Sequence, residues 1–362
     1  MTLNSGHAVV EPNGYVQELS VPTTATNASV DVQQQGTVNT AVVDSSSATV
    51  TVSQGAEVNQ YVGDTTNVSG AGATSVTQNA VTKTLVGTKE ELVNAIADVN
   101  AKYIELSADI DAQTRLTLDR DVILDGSSAK HTLTFSSENI SNGRAINIGW
   151  DAENINVSVK NLKVVGPTSG GYTRGLNVGQ PGTKVIVDNC EVSCKYYALN
   201  VISSADGASI KVSDSKFSGW AALNLWSSIR VEVSNSTLEG TSISKGEGFA
   251  TICFEADTTD KTSDRVSDAK VAVKNSVIRS IFDYTDGDGY QSMIGYNYTS
   301  TDRSEAADHN TFEAIDCDFQ YQGSQDNLIL AYDFCAYGAV TTNITIVNGR
   351  TLDFSSTYYV ER

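Results

Sequence analysis

One short phrase returns again and again along this 362-residue chain, and it limits the folds open to it. A strand with apolar residues two apart comes first, Asn or Asp follows, and a small residue usually comes next. The copies are Val157-Ser158-Val159-Lys160-Asn161-Leu162, Val185-Ile186-Val187-Asp188-Asn189-Cys190, Ile210-Lys211-Val212-Ser213-Asp214-Ser215, Val231-Glu232-Val233-Ser234-Asn235-Ser236, Val271-Ala272-Val273-Lys274-Asn275-Ser276, Phe312-Glu313-Ala314-Ile315-Asp316-Cys317 and Ile344-Thr345-Ile346-Val347-Asn348-Gly349. Leu116-Thr117-Leu118-Asp119-Arg120-Asp121 reads as the first copy. A second phrase alternates with it: Ala145-Ile146-Asn147-Ile148, Gly175-Leu176-Asn177-Val178, Ala198-Leu199-Asn200-Val201 and Ala222-Leu223-Asn224-Leu225. Apolar residues two apart mean strands, and two strand phrases per repeat mean a stacked β-solenoid. One coil cannot bury its apolar face alone; stacking supplies a continuous core. Asn and Asp suit the recurring turn because they tolerate a left-handed backbone.

Composition agrees with an all-β chain. There are 28 Gly and only 4 Pro, with abundant Val, Thr, Ser and Asn. The net charge of −19 argues against nucleic acid and against an anionic membrane surface, both of which need clustered cations. It also disfavours acidic polysaccharides, unless a local basic groove rescues them. No apolar run reaches the ~20 residues of a membrane span, so no membrane insertion is expected. The opening Met1-Thr2-Leu3-Asn4-Ser5-Gly6-His7 lacks the basic and apolar regions of a secretory signal. Five widely spaced cysteines (Cys190, Cys194, Cys253, Cys317, Cys335) read as reduced, buried thiols rather than a zinc site.

Residues 1–82 carry no Lys or Arg; Lys83 is the first. Val alternates here (Val30, Val32; Val50, Val52), yet only Tyr15 and Tyr61 are aromatic. Such small side chains are expected not to close a core inside one thin chain. The reading preferred over a flexible linker is a slender shaft completed by neighbouring copies, hence a homotrimer. The expected division is residues 1–24 as an attachment segment, 25–87 as a β-rich shaft and 88–362 as a capping helix plus β-helix. The helix is signalled by Thr88 and Glu91 as a capping box, with Leu92, Ile96 and Val99 on one face, ending near Asn100. It would cover the open end of the solenoid.

Two resemblances follow from these residues. The stretch Ser75-Val76-Thr77-Gln78-Asn79-Ala80-Val81-Thr82-Lys83-Thr84-Leu85 resembles a short element of bacteriophage tail and fibre proteins, where it separates a virion-attachment region from a distal domain. The two-phrase repeat, over roughly residues 88 to 355, resembles the right-handed parallel β-helix shared by pectate-lyase-like enzymes, phage tailspikes and surface adhesins. That fold hosts lyases, hydrolases and pure binders, so it implies architecture more than chemistry.

If Leu176 and Val178 point inward, Asn177 points outward, and stacking would line up Asn147, Asn177, Asn200 and Asn224 as an exposed polar stripe. With Tyr197, Trp220 and Trp226 close in sequence, the stripe is the candidate carbohydrate site, set against a plain structural Asn ladder. Asp283, Asp286 and Asp288, in a Gly-containing loop, are a candidate Ca²⁺ site, set against an acidic solvated turn. No other cofactor is expected. The Asn-Thr-Asp, Gly-His-Gly and Arg-Ile-Lys phrases of pectin-cleaving hydrolases are missing from the sequence. Arg144 and Arg174 precede second-phrase strands without an evident set of acids. His7, His131 and His309 are dispersed. The expected function is a bacteriophage head or tail fibre, located on the virion. Its N-terminus would attach to a capsid or tail protein, and its β-helix would hold a neutral or weakly charged host-surface polysaccharide without cleaving it. The alternatives are a bacterial cell-surface adhesin and a polysaccharide lyase or glycoside hydrolase.

Overall fold

The computed structural model describes residues 1–349, apart from residue 79 and segments 137–139, 141–142, 168–171, 242–249, 257–267, 282–290, 299–308, 323–327, 334–337 and 340–342. The described chain divides into two compact units, Met1–Thr84 with Asn100–Tyr103, and Leu85–Val99 with Ile104–Arg362.

The first unit is itself a small parallel solenoid. Strands Ser5–Val10, Thr26–Val32, Thr49–Val52 and Val68–Ser69 form one four-stranded sheet. Strands Tyr15–Val21, Thr37–Val43, Glu57–Gly63 and Ala80–Val81 form a second. Their apolar residues make one core, with Leu19, Val21, Val38, Val52 and Tyr61 fully enclosed. This corrects two expectations. No boundary falls at residue 24, because Ala8 pairs with Val30 and Val10 with Val32. Nor does the segment need neighbouring copies to build a core. Two sheets only ~10 Å apart are filled by Val and Ala meeting from either side, so the scarcity of aromatics reflects a narrow core. A short helix, α1 (Ala73–Gln78), places Val76 in that core.

The second unit opens with helix α2 (Lys89–Ala97), capped by Thr88 and Glu91 in a complete capping box. Its buried residues are Leu92 and Ala95, and it packs on Leu116–Leu118. Val99 lies beyond the C-cap and is 71% exposed, so the expected apolar face is one turn shorter. Arg120 donates to the carbonyls of Ala95 (3.0 Å) and Ile96 (3.3 Å), closing a helix end rich in unpaired acceptors.

Parallel strands then wind through three walls, and the unit is a parallel β-helix. One coil runs Arg144–Ile148 in the third wall, Asn156–Lys160 in the first and Lys163–Val165 in the second; the next begins at Arg174–Val178 in the third. Val157, Val185, Ile210, Val231, Val271, Phe312 and Ile344 stack in register as one inward column. The second phrase is the third wall, with Asn147, Asn177, Asn200 and Asn224 directly paired. Leu116–Leu118 pairs with Ile146–Ile148, so it belongs to the second phrase and not the first. The first-wall strand of that coil is Val122–Asp125, and Gly126 follows it in place of Asn. A Cβ on Gly126 would lie only 1.9 Å from the Asn161 carbonyl oxygen, which leaves room for no side chain.

The recurring turn is left-handed in each described copy. Asn161, Asn189, Asp214, Asn235, Asn275, Asp316 and Asn348 have φ between 47° and 53°. The small residue after it is buried and links the coils. Cys190 N–H donates to Ser215 Oγ (2.9 Å), Ser215 N–H to Ser236 Oγ (3.1 Å) and Ser236 N–H to Ser276 Oγ (3.0 Å). This turn spans two residues from the first wall to the second. Apart from residues 126–131, which join the first wall to the second, the longer connections enter or leave the third wall.

Candidate functional site

The first and second walls alternate buried and exposed residues, as Arg230–Ser234 and Lys216–Gly219 do. The third wall does not: every residue of Tyr197–Val201 and Ala221–Leu225 is buried. Something therefore covers its outer face. A Cβ on Gly175 would press on Val192 in the second wall, so Gly175 faces the core and Arg174 faces away. The strand pairing includes Arg174, Leu176, Asn177 and Val178 but skips Gly175, so the strand is irregular there, and beyond it Asn177 faces away from the core by alternation with Leu176 and Val178.

The expectation of a solvent-facing Asn stripe is corrected. Asn147, Asn177 and Asn224 are 0% exposed and Asn200 is 1% exposed. Their amides touch one another at 3.0, 2.7 and 2.8 Å up the stack. The alternation places them on the outer side, but the side chains around them close over it. Arg144 and Trp150 flank Asn147, and their side chains meet, with the guanidinium carbon 4.2 Å from the indole centroid. Trp150 also lies against Gly179, where a Cβ would sit 3.0 Å from its ring. The Asn row is thus a buried ladder and not a sugar-contacting surface.

The ladder has a direction. With the Asn224 amide nitrogen toward Glu255, it donates to Oε1 at 2.9 Å, and its oxygen accepts from Trp226 Nε1 at 2.6 Å. Asn200 must then donate to Asn224, Asn177 to Asn200, and Asn147 to Asn177. That sense also employs the buried Asn147 Nδ2, which is otherwise without an acceptor. Glu255 is 3% exposed, and burial pushes its carboxyl up to about 8. Trp226 therefore belongs to the end of the ladder. It follows the strand Ala221–Leu225 whereas Trp220 precedes it, about 20 Å of extended backbone away.

The leading edge of the third wall is different. Here rings gather: Tyr172 with Tyr196 (centroids 5.5 Å), Tyr196 with Trp220 (4.0 Å) and Tyr196 with Tyr197 (6.2 Å). Tyr197 and Trp220 are 3% and 9% exposed and form the base, whereas Tyr172 is 56% exposed. Tyr172 holds φ 52°, an unusual backbone for an aromatic residue, which presents its ring outward. Cations adjoin the rings. Lys195 Nζ is 5.2 Å from the Tyr196 centroid, and the Arg174 guanidinium carbon is 5.7 Å from that of Tyr197. Arg144 and Arg174 pair in register on adjacent coils. Burial pushes both guanidinium pKa values down, and Arg174 and Arg115 add repulsion at Arg144. The Nε atoms of both are enclosed without a hydrogen-bond partner. Burial also raises the Tyr197 phenol and the Cys253 thiol, so neither is a ready base or nucleophile at neutral pH.

Of the sequence-chosen site residues, the structure brings Tyr197 and Trp220 together at this edge and places the four Asn and Trp226 elsewhere. Tyr172, Arg144 and Arg174 join the edge; their shared signal was their position just before second-phrase strands. Asp283, Asp286 and Asp288 lie outside the described residues. Among the described residues no group of three or more His, Cys, Asp or Glu is placed to hold a metal, and no helix is long and apolar enough to cross a membrane.

A family model described as a putative pectate lyase-like adhesive domain matches residues 83–194. That stretch includes Arg144, Trp150, Tyr172 and Arg174. No curated protein and no solved structure matches the chain.

Proposed function

We propose that this chain is the binding part of a surface-displayed adhesin and holds a glycan at the leading edge of the third wall without cleaving it. The observation that carries the reading is the cluster of Tyr172, Tyr196, Tyr197 and Trp220 beside Lys195 and Arg174, of which Tyr172 and Arg174 lie within the adhesive-domain match and the rest beyond it. Rings stack on the C–H faces of sugars while cations and amides meet hydroxyl and charged substituents. Long connections beside the third wall can extend the contact surface, because loops carried on a rigid scaffold are where recognition residues collect. The test is a glycan panel probed with the intact chain, together with an assay for new reducing ends. Binding without release supports the reading; release of reducing ends contradicts its non-enzymatic half.

A second reading is a virion fibre. It rests on the fibre-like residues 75–85, which include the end of α1. It places the first unit against a capsid or tail protein and expects a homotrimer. Sedimentation of the full chain and immunogold imaging on particles test it; a monomer absent from virions would end it.

A further inference from the structure

Several cations elsewhere on the β-helix are matched by acids on nearby coils. Lys216 and Arg279 both reach Glu239, at 3.2 and 3.5 Å; Lys130 reaches Glu191 at 3.3 Å; the buried Lys160 reaches Asp125 at 3.6 Å. The chain has 43 Asp and Glu to draw on. Yet among the described residues no carboxylate pairs with Arg144 or Arg174. They sit one above the other on adjacent rungs, about 4.8 Å apart at the backbone, and repel. Among the described residues Arg174 donates to the Tyr172 carbonyl (2.5 Å) and lies near the Tyr197 ring, and Arg144 lies on the Trp150 face. Both remain partly accessible. Two like charges held together, partly desolvated and supplied with aromatic faces are arranged for an anion that no described residue provides.

Resting on the adhesin reading, we infer that Arg144 and Arg174 form a subsite for one anionic substituent, a carboxylate or a sulfate, on the bound glycan. Paired guanidiniums present several N–H donors to such a group, and its charge relieves their repulsion. The net charge of −19 then sets the long-range field, screened beyond ~8 Å at physiological salt, while the subsite sets local preference.

The experiment titrates the intact chain and the Arg144→Gln/Arg174→Gln double variant with a uronic-acid oligosaccharide and its carboxyl-reduced counterpart, and with a sulfated oligosaccharide and its desulfated counterpart. Wild type should prefer at least one anionic member by 10-fold or more, and the double variant should lose that preference. Which pair shows it identifies the anion. Without glycan the double variant should melt higher than wild type, since an uncompensated repulsion is gone; a purely structural role predicts a lower melt. Equal binding of both members of each pair, an unchanged preference in the variant, or a lower melt overturns the subsite while leaving the adhesin reading intact. If no glycan binds but sodium sulfate raises the melting temperature of wild type more than that of the variant, the subsite stands and the adhesin reading fails.

Discussion

Glu255 shows how one buried residue couples protonation to stability. Its folded carboxyl is pushed up to about 8 by burial, against a little above 4 for an exposed Glu. The folded state therefore binds a proton that the unfolded chain has released, and the contribution of Glu255 to stability falls as pH rises from about 4.5 to 8. Glu255→Gln should melt close to wild type at pH 5 and a few degrees above it at pH 9, by calorimetry. The same offset at both pH values would show that the carboxyl is ionised throughout. Asn235 acts through its backbone. Its side chain is exposed and its φ is 49°, so a bulkier residue is penalised by left-handed strain and not by a lost buried bond. Asn235→Leu should cost about 1–2 kcal/mol and Asn235→Gly close to none in urea unfolding. Equal losses for the two would point to a side-chain bond instead.

Among the elements, the third wall separates what pattern could show from what it could not. The period-two phrases and the Asn/Asp turn state the coil directly, because an inward Val and a left-handed Asn are forced by local geometry. Burial of the outer face is not local. Asn200 reads as outward by alternation, and its burial comes from tertiary packing over that face, which alternation does not encode. The first unit misled for the opposite reason: few aromatics suggested no core, whereas a two-sheet solenoid is filled by Val and Ala. Tyr172 carried no sequence signal beyond its nearness to Arg174. Two substitutions test the wall and the turn row. Asn200→Ala should interrupt the ladder between Asn177 and Asn224, lower stability by roughly 1–3 kcal/mol and leave glycan affinity unchanged. Ser236→Ala should cost a similar amount, about 1–3 kcal/mol, by stranding the buried Ser215 N–H. A full loss of binding at unchanged stability in Asn200→Ala would restore the Asn row as a contact surface.

For the whole molecule, both units enclose cores of their own, and the second keeps Cys190, Cys194, Cys253 and Cys317 buried and free. A thiol reagent should modify at most Cys335 in the native chain and all five in denaturant; two or more fast native thiols would contradict the packed coils. The chain as a binding module depends most on the leading edge of the third wall, where Tyr172 is the most exposed ring. The direct measurement is the affinity of wild type and Tyr172→Ala for each glycan that wild type captures, with the melting temperature of both. The account predicts a 10-fold or greater loss of affinity in Tyr172→Ala at a nearly unchanged melting temperature, because the ring is 56% exposed and Ala keeps the Cβ on which the cost of φ 52° falls. Undiminished affinity of Tyr172→Ala for every captured glycan would contradict it.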